Sequence, residues 1–445
     1  MPSKKKIKDR PKLVDSNLIL PFIVVTSMFF LWGVANDVTN PMVSAFKKIM
    51  PELSNYEAAL VQLAFYGGYG TMAIPAALFI RKYSYKAGIL IGLALYAIGA
   101  LLFWPAAAYE EFTFFLLSLY ILTFGLAFLE TTANPFILAL GDPRTATQRL
   151  NLSQAFNPIG SLTGMAIAQL VIIQALRSDD YSEKSYNALT SNEIATIRQE
   201  DLNIISEVYV GLGIAIIAVF ILVLFVKIPG KNEKNKLSIY DSISLLFKNK
   251  RYYEGVIAQV FYVGTQIMCW TFIFQYVDNI NEGLPIDQQL TASWYNMAAM
   301  CLFLVSRWVC TGLFNYIRPA KLMLYFGLAG MLLILGAIVL SGMPGLYCLV
   351  GVSMSMSLMF PTIYGIALKG MNEEAKLGSA GLVMAIVGGA LMPPLQAKIL
   401  DWGGPGFNDL QLFGWIDEVN FSFILPLAGL AVVALYSYRS LDVSD

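Results

Sequence analysis

The sequence predicts an all-α membrane protein with twelve membrane-spanning helices. Of its 445 residues, 57% are hydrophobic and only 13% are charged, whereas soluble domains are about 25% charged. Mean hydropathy is +0.62. Apolar runs of about 20 residues, the length that crosses a bilayer as a helix, recur along the chain. A chain with so little polar surface is best accommodated in lipid.

Six of these runs precede a polar stretch rich in Lys and Asn, and six follow it. The predicted spans of the first half are residues 18–46, 57–80, 87–108, 112–140, 150–176 and 204–227. Those of the second half are residues 252–278, 289–316, 320–341, 344–368, 377–400 and 418–438. The even division predicts two six-helix bundles, residues 18–228 and 251–438, joined by a linker at residues 229–250. Residues 1–17 and 439–445 are expected to be polar tails.

The positions of the basic residues predict how the chain is oriented. Most of the 30 Lys and Arg residues lie in the two tails, the linker and the loops on the same side of the membrane. Cytoplasmic loops carry such an excess, so both ends are predicted to be cytoplasmic. Short basic turns at Arg81–Lys86 and Arg318–Lys321 occupy matching places in the two halves. This match indicates a repeated six-helix unit, with a solute site between the repeats.

Composition also excludes several classes of protein. The chain has no His, and its four Cys lie in apolar stretches without CxxC spacing, so we expect no metal and no cofactor. A net charge of zero gives no support for nucleic-acid binding. The chain lacks both a nucleotide-binding G-x-x-x-x-G-K-[ST] loop and any nucleophile–base constellation, so we do not expect an enzyme. Movement of a solute across a lipid bilayer by alternating access fits best.

Two acidic side chains lie at membrane depth. A charge there costs about 2.5–3.5 kcal/mol on insertion scales and is a functional candidate. Asp37 lies in the first span with Asn40 one turn later, and Glu130 lies in the fourth span with Asn134 one turn later. Removing a carboxylate from water favours its protonated form, so Glu130 is the main candidate proton carrier and Asp37 the second. The alternatives are repair of a helix kink beside Pro41 for Asp37, and a structural ion pair for Glu130.

Arg307 is the basic residue at membrane depth, in the eighth span. A buried guanidinium needs a carboxylate or carbonyl partners. Pairing with Glu130 in one conformation and satisfaction by backbone carbonyls are both open interpretations. One isolated arginine argues against a phosphorylated or dicarboxylate solute, which usually calls for a cluster of positive charge.

Neutral polar and aromatic residues recur at helical spacing inside the spans. Gln154 and Asn157 lie on one face of the fifth span, and Gln266 and Trp270 on one face of the seventh. Amides can donate to and accept from hydroxyl groups, and aromatic rings cover the apolar face of a sugar ring. This mixture predicts a cavity for a small neutral polyol. The alternative is that these groups form hydrogen bonds between helices.

Seven segments, densest in the first five spans, match a known family. They are Phe29–Asn36, Ser84–Gly88, Leu102–Ala107, Leu129–Phe136, Arg149–Asn157, Tyr262–Trp270 and Pro361–Ile363. In these segments the chain resembles the fucose–proton symporter family of the major facilitator superfamily. The resemblance implies the major facilitator fold and a proton-coupled monosaccharide importer of a bacterial inner membrane. It also implies rocking of two six-helix halves, and we expect a monomer.

The resemblance assigns roles to some of these residues and leaves others open. It implies that Glu130 handles the proton and touches the substrate, and that Gln154 and Asn157 lie at the sugar site. The family's usual first-span carboxylate aligns with Asn40, whereas Asp37 stands three residues earlier on nearly the same face. Two interpretations follow: Asp37 replaces the missing acid, or coupling rests on Glu130 alone.

The expected solute is L-fucose, and three alternatives stay open at this point. The chain is an uncoupled facilitator, or a porter for glucose, galactose or an N-acetylhexosamine, or a nutrient receptor that does not transport. Na⁺ in place of H⁺ is a further alternative for the coupling ion.

Overall fold

The structure, a computed structural model, is almost entirely helical. It describes residues 12–39, 42–50, 53, 55–180, 189–228, 238–282, 284–285, 288–371, 374–400, 402 and 411–442. Within these ranges, 12 helical segments are long and apolar enough to cross a membrane. In chain order α1 to α12 are Ser16–Thr39, Leu63–Lys82, Tyr85–Tyr109, Phe112–Ala139, Pro143–Ala175, Ser191–Phe225, Lys250–Asn281, Ala292–Leu313, Pro319–Val339, Met343–Ala367, Glu374–Leu400 and Glu418–Arg439. The predicted number of spans is confirmed.

The other elements are short. α2 is the apolar part of a longer helix, Asn55–Lys82. Short helices at Met42–Ile49 and Ile239–Lys248 follow α1 and precede α7. Strands β1, Gln411–Leu412, and β2, Ile416–Asp417, pair antiparallel between α11 and α12.

Two boundaries differ from the sequence prediction. The helix of α6 begins at Ser191 instead of residue 204, because Thr190 and Glu193 form a capping box that starts it well before the apolar run. The first span was predicted to run to residue 46, but α1 ends at Thr39 and a separate helix begins at Met42. Residues 40 and 41, between these two helices, lie outside the described part of the chain.

Local sequence signals fix other helix starts. The Ser84 hydroxyl accepts a hydrogen bond from the Ala87 N–H at 3.1 Å, which caps α3. The Asn249 side chain accepts from the Tyr252 N–H at 3.3 Å and caps α7 in the same way. Gly342 precedes α10 with a φ of 68°, a conformation that glycine adopts without steric cost.

The two halves use the same helix pairings. In the first half α1 packs on α5, α2 and α3 on α4, and α3 on α6. In the second half the equivalent pairs, each six helices later, are α7 on α11, α8 and α9 on α10, and α9 on α12. Buried apolar side chains form two clusters: one lies wholly in the second half, and the other joins the first half to second-half residues between Leu246 and Val383. The repeat predicted from the basic turns is therefore present in the packing.

α1 and α5 pack with their backbones in contact. A Cβ added at Gly160 of α5 would collide with the carbonyl oxygen of Phe30 in α1, and one added at Gly33 would collide with the Asn157 carbonyl oxygen. Only glycine permits this approach. The pair therefore behaves as one rigid unit that positions α5.

Candidate functional site

The central group of the site is the carboxylate of Glu130. It lies in α4 with only 7% of its surface exposed. Its Oε2 atom has no hydrogen-bond partner among the residues that the structure describes. Asn134, one turn later, donates from Nδ2 to the Glu130 carbonyl oxygen at 3.0 Å. A buried carboxylate without a fixed partner is chemically suited to exchange a proton.

Gln154 joins this group from α5. Its Nε2 donates to Asn134 Oδ1 at 2.9 Å, so both side chains are fixed away from bulk water. The structure therefore brings together Glu130, Asn134 and Gln154, three residues that the sequence placed in two separate spans. The bond to Asn134 uses Gln154 Nε2 and leaves its Oε1 atom as an acceptor.

α5 is interrupted beside Gln154. A helix at Ala146–Gln154 ends, and a second helix at Asn157–Ile167 begins after a break at residues 155–156. Pro158 contributes to this break because it cannot donate to the carbonyl of Gln154, the residue four before it. Asn157 is half-buried at the break, and its Nδ2 donates to the Phe29 carbonyl oxygen of α1 at 3.2 Å.

The second half contributes α7. Gln266 and Trp270 are both half-buried. Trp270 Nε1 donates to Ser353 Oγ of α10 at 3.1 Å, and its carbonyl oxygen accepts from Asn296 of α8 at 2.9 Å. The bond to Ser353 and the edge-on contact with Phe303 orient the indole ring, and the bond from Asn296 ties the backbone of α7 to α8.

The first-span candidates are only partly described. Asp37 is buried in α1, with 7% of its surface exposed. Asn40 lies outside the described residues. The relation of Asp37 to proton exchange therefore stays a prediction.

Arg307 occupies the boundary between the halves. It is 3% exposed and donates from Nε to the Ser357 carbonyl oxygen at 2.5 Å and from Nη1 to the Gln154 carbonyl oxygen at 2.9 Å. Its guanidinium carbon lies 4.5 Å from the centre of the Phe303 ring. In this conformation the described partners of Arg307 are backbone carbonyls and an aromatic ring.

The Gln259 side chain in α7 is a further buried polar group. Neither of its amide atoms has a hydrogen bond to any described residue, although the side chain is fully buried. Helical spacing places Gln259 on the polar face of its span, but spacing alone gives no sign that its amide is unsatisfied. Across the described ranges, no cluster of three or more His, Cys, Asp or Glu side chains could hold a metal ion.

The halves meet at one end of the bundle. We call the end at which α1 begins and α12 ends the terminal face, and the opposite end the distal face. Near the terminal face, Gln148 donates to the Thr311 carbonyl oxygen at 3.1 Å and Asn151 to Thr362 Oγ1 at 3.4 Å. Ser379 donates to the Thr131 carbonyl oxygen at 3.1 Å. These bonds close the site toward the terminal face.

Comparison with known proteins gives the family. Residues 19–393 match the family model described as Major Facilitator Superfamily. The chain is 54% identical over 434 residues to the L-fucose-proton symporter of Haemophilus influenzae, covering 96% of this chain and 98% of that one. A glucose/galactose transporter of Brucella abortus is 27% identical over 414 residues, covering 93% and 92%.

Comparison with solved structures points to the same family. The crystal structure of a variant of the Escherichia coli fucose:proton symporter, FucP, is 29% identical with a TM-score of 0.83, covering 95% of this chain and 98% of that one. A structure of FucP in the outward conformation has a TM-score of 0.82 at 30% identity, covering 95% and 99%. The chain belongs to the Major Facilitator Superfamily and, within it, to the fucose–proton symporter family.

Proposed function

We propose that this chain imports L-fucose together with a proton by alternating access. The observation that carries the proposal is its 54% identity, over nearly the full length of both chains, to a protein named L-fucose-proton symporter. The buried carboxylate of Glu130 supports the chemistry, and Asn134 joins the Glu130 backbone carbonyl to the Gln154 amide. Glucose/galactose transporters match at lower identity, which makes those sugars the second candidates.

Glu130 is the proposed proton carrier. When protonated, its carboxyl group is neutral and donates one hydrogen bond, so it can face a sugar hydroxyl without the cost of a buried charge. When ionised, it is an uncompensated charge in an apolar interior. Proton binding therefore favours the conformation in which the sugar is enclosed, and proton loss to water favours release.

The sugar site is proposed to lie between the halves, next to Glu130. Gln154 and Asn157 offer amide groups from the first half, and Asn134 and Asn40 complete this set in the sequence prediction. In the structure the Asn134 amide is bonded to Glu130 and Gln154, so its proposed part is to orient the Gln154 amide. Trp270 and Gln266 offer a rigid ring and an amide from the second half. Amides directed at hydroxyls and an aromatic surface under the ring suit a neutral monosaccharide.

The terminal face is proposed to be cytoplasmic, because the basic residues of the sequence concentrate there. The contacts that close that face then make this the outward-facing conformation. We further propose that the protein works in a bacterial inner membrane as a monomer, with its two halves at residues 18–228 and 251–438. Each half contributes one wall of the site.

The test is uptake of radiolabelled L-fucose into energised membrane vesicles, with and without a proton ionophore. For the native chain, accumulation should collapse when ionophore is added. Glu130→Gln should abolish accumulation but retain exchange of internal for external sugar, because the neutral amide mimics the protonated acid. Glu207→Gln, the same substitution at an exposed position of α6, should behave like the native chain.

Asp37→Asn distinguishes the two interpretations of the first span. Loss of accumulation with retained exchange would make Asp37 a coupling acid, and unchanged accumulation would leave Glu130 alone in that role. Uptake that ignores both the ionophore and Glu130→Gln would mean a facilitator. Absence of L-fucose uptake, with glucose or galactose accumulated instead, would contradict the substrate assignment.

A further inference from the structure

The hydrogen bond from Arg307 to Gln154 joins the halves at an unusual acceptor. In a continuous helix the Gln154 carbonyl would accept from the N–H of residue 158. Residue 158 is proline and has no N–H, so the break in α5 frees this carbonyl. Arg307 of α8 donates to it from the opposite half at 2.9 Å, across 153 residues of sequence.

Arg307 is itself rigidly held. Its Nε donates to the Ser357 carbonyl oxygen of α10, and its guanidinium lies against the Phe303 ring. The Ser357 hydroxyl donates in turn to Ser306 Oγ at 2.9 Å. The guanidinium is therefore fixed to the second half, and among its contacts with described residues the Nη1 hydrogen bond is the one that reaches the first half.

Gln154 makes a second hydrogen bond, through its side chain. Its backbone carbonyl accepts from Arg307, while its side-chain amide donates to Asn134 beside Glu130. A movement of the Gln154 side chain toward a bound sugar thus acts on the same residue that carries the contact between the halves. This contact between the halves is therefore made by a residue of the proposed site itself.

We propose that Arg307 is a positioning residue that links the sugar site to closure of the terminal face. By donating to the carbonyl that Pro158 leaves free, it holds α5 against α8 while the site is empty. Opening of the terminal face breaks this bond. The inference rests on the proposed alternating-access mechanism, but not on which sugar is carried.

Two substitutions remove the same bond in different ways. Arg307→Lys keeps the charge but replaces the fork by a single ammonium, which cannot hold the Ser357 and Gln154 carbonyls in the same geometry. Pro158→Ala leaves Arg307 intact and supplies an N–H that competes for the Gln154 carbonyl. Pro75→Ala is the matched control, since Pro75 lies on an exposed part of α2.

The measurement is the distance between spin labels on the full-length protein in lipid nanodiscs, without sugar. Labels at Lys82→Cys and Lys321→Cys report on the terminal face, and labels at Tyr109→Cys and Trp294→Cys on the distal face; all four positions are exposed. The two less buried native thiols, Cys301 and Cys348, are replaced by serine.

The native chain should show a short terminal-face distance. Both Arg307→Lys and Pro158→Ala should lower the ratio of closed to open populations by about tenfold, the scale of one hydrogen bond to a charged group. The distal-face distance should shorten correspondingly. The double variant should shift no further than either single variant, because both remove one bond.

Three results would overturn the proposal. The first is a native-like distance distribution in Pro158→Ala, even if Arg307→Lys is shifted or fails to fold. The second is an equal shift in Pro75→Ala. The third is full additivity in the double variant. Because no sugar is present, these results are independent of whether L-fucose proves to be the substrate.

Discussion

At the scale of single residues, Asn134 has a positioning role in the site. It accepts from Gln154 and donates to the Glu130 carbonyl oxygen, so it orients the Gln154 amide without having to touch the sugar. Asn134→Ala leaves the Gln154 amide without this acceptor and free to rotate. We expect the KM for L-fucose to rise about tenfold, the effect of one lost hydrogen bond, while dependence on the proton gradient is retained.

The check is a set of initial uptake rates over a range of L-fucose concentrations. Asn192→Ala, at an exposed position of α6, is the control and should leave the KM unchanged. A native KM in Asn134→Ala would remove Asn134 and its bond to Gln154 from the proposed site.

The sequence predicted part of this residue-scale arrangement. Spacing in a helix is local, so it placed Glu130 one turn from Asn134 in the continuous helix α4, whereas α5 breaks between Gln154 and Asn157, which the spacing argument treated as one helical face. The bond between Asn134 and Gln154 depends on how two helices pack, and the bond between Arg307 and Gln154 depends on how the halves meet. Neither is encoded in a local pattern. The sequence therefore identified Arg307 as a buried charge but left its partner open.

At the scale of elements, the close contact of α1 and α5 determines where the site residues stand. Gly160→Ala places a methyl group against the Phe30 carbonyl oxygen and forces the two helices apart. We expect a loss of about 1–3 kcal/mol in stability, the usual cost of overpacking. The matched control is Gly211→Ala in α6, where an added Cβ meets nothing within 4 Å.

Thermal unfolding in detergent, followed by the reaction of buried Cys269 and Cys310 with a thiol dye, measures this difference. Gly160→Ala should react at a lower temperature than the native chain. Gly211→Ala should react at the same or a slightly higher temperature, since alanine favours helix over glycine by about 1 kcal/mol. Equal behaviour of the two variants would show that the α1–α5 contact is not tight.

Element boundaries show where sequence reasoning falls short. Hydropathy identifies apolar runs, so it predicted the twelve spans but not the polar start of α6, which the capping box at Thr190 and Glu193 supplies. The break in α5 follows from Pro158, a residue visible in the sequence. Its consequence, a carbonyl free to accept from α8, appears only when the helices are assembled.

At the scale of the whole molecule, the proposed mechanism links closure of the terminal face to proton binding at Glu130 in the centre of the bundle. The halves repeat the same helix pairings and meet near the terminal face through a few hydrogen bonds, which a rocking motion can exchange for contacts at the distal face. A proton on Glu130 removes a buried charge as this motion encloses the site. Sugar and proton are therefore expected to cross together.

The most direct measurement uses purified protein in liposomes that contain a pH-sensitive dye, in buffer free of Na⁺, with an imposed membrane potential, negative inside. One proton moved through about 100 mV supplies about 2.3 kcal/mol, enough for a sugar gradient of about 50-fold. External L-fucose should therefore accumulate inside well beyond the external concentration, and the interior should acidify as it does. Entry of L-fucose only to equal concentration, without acidification, would contradict proton-coupled import.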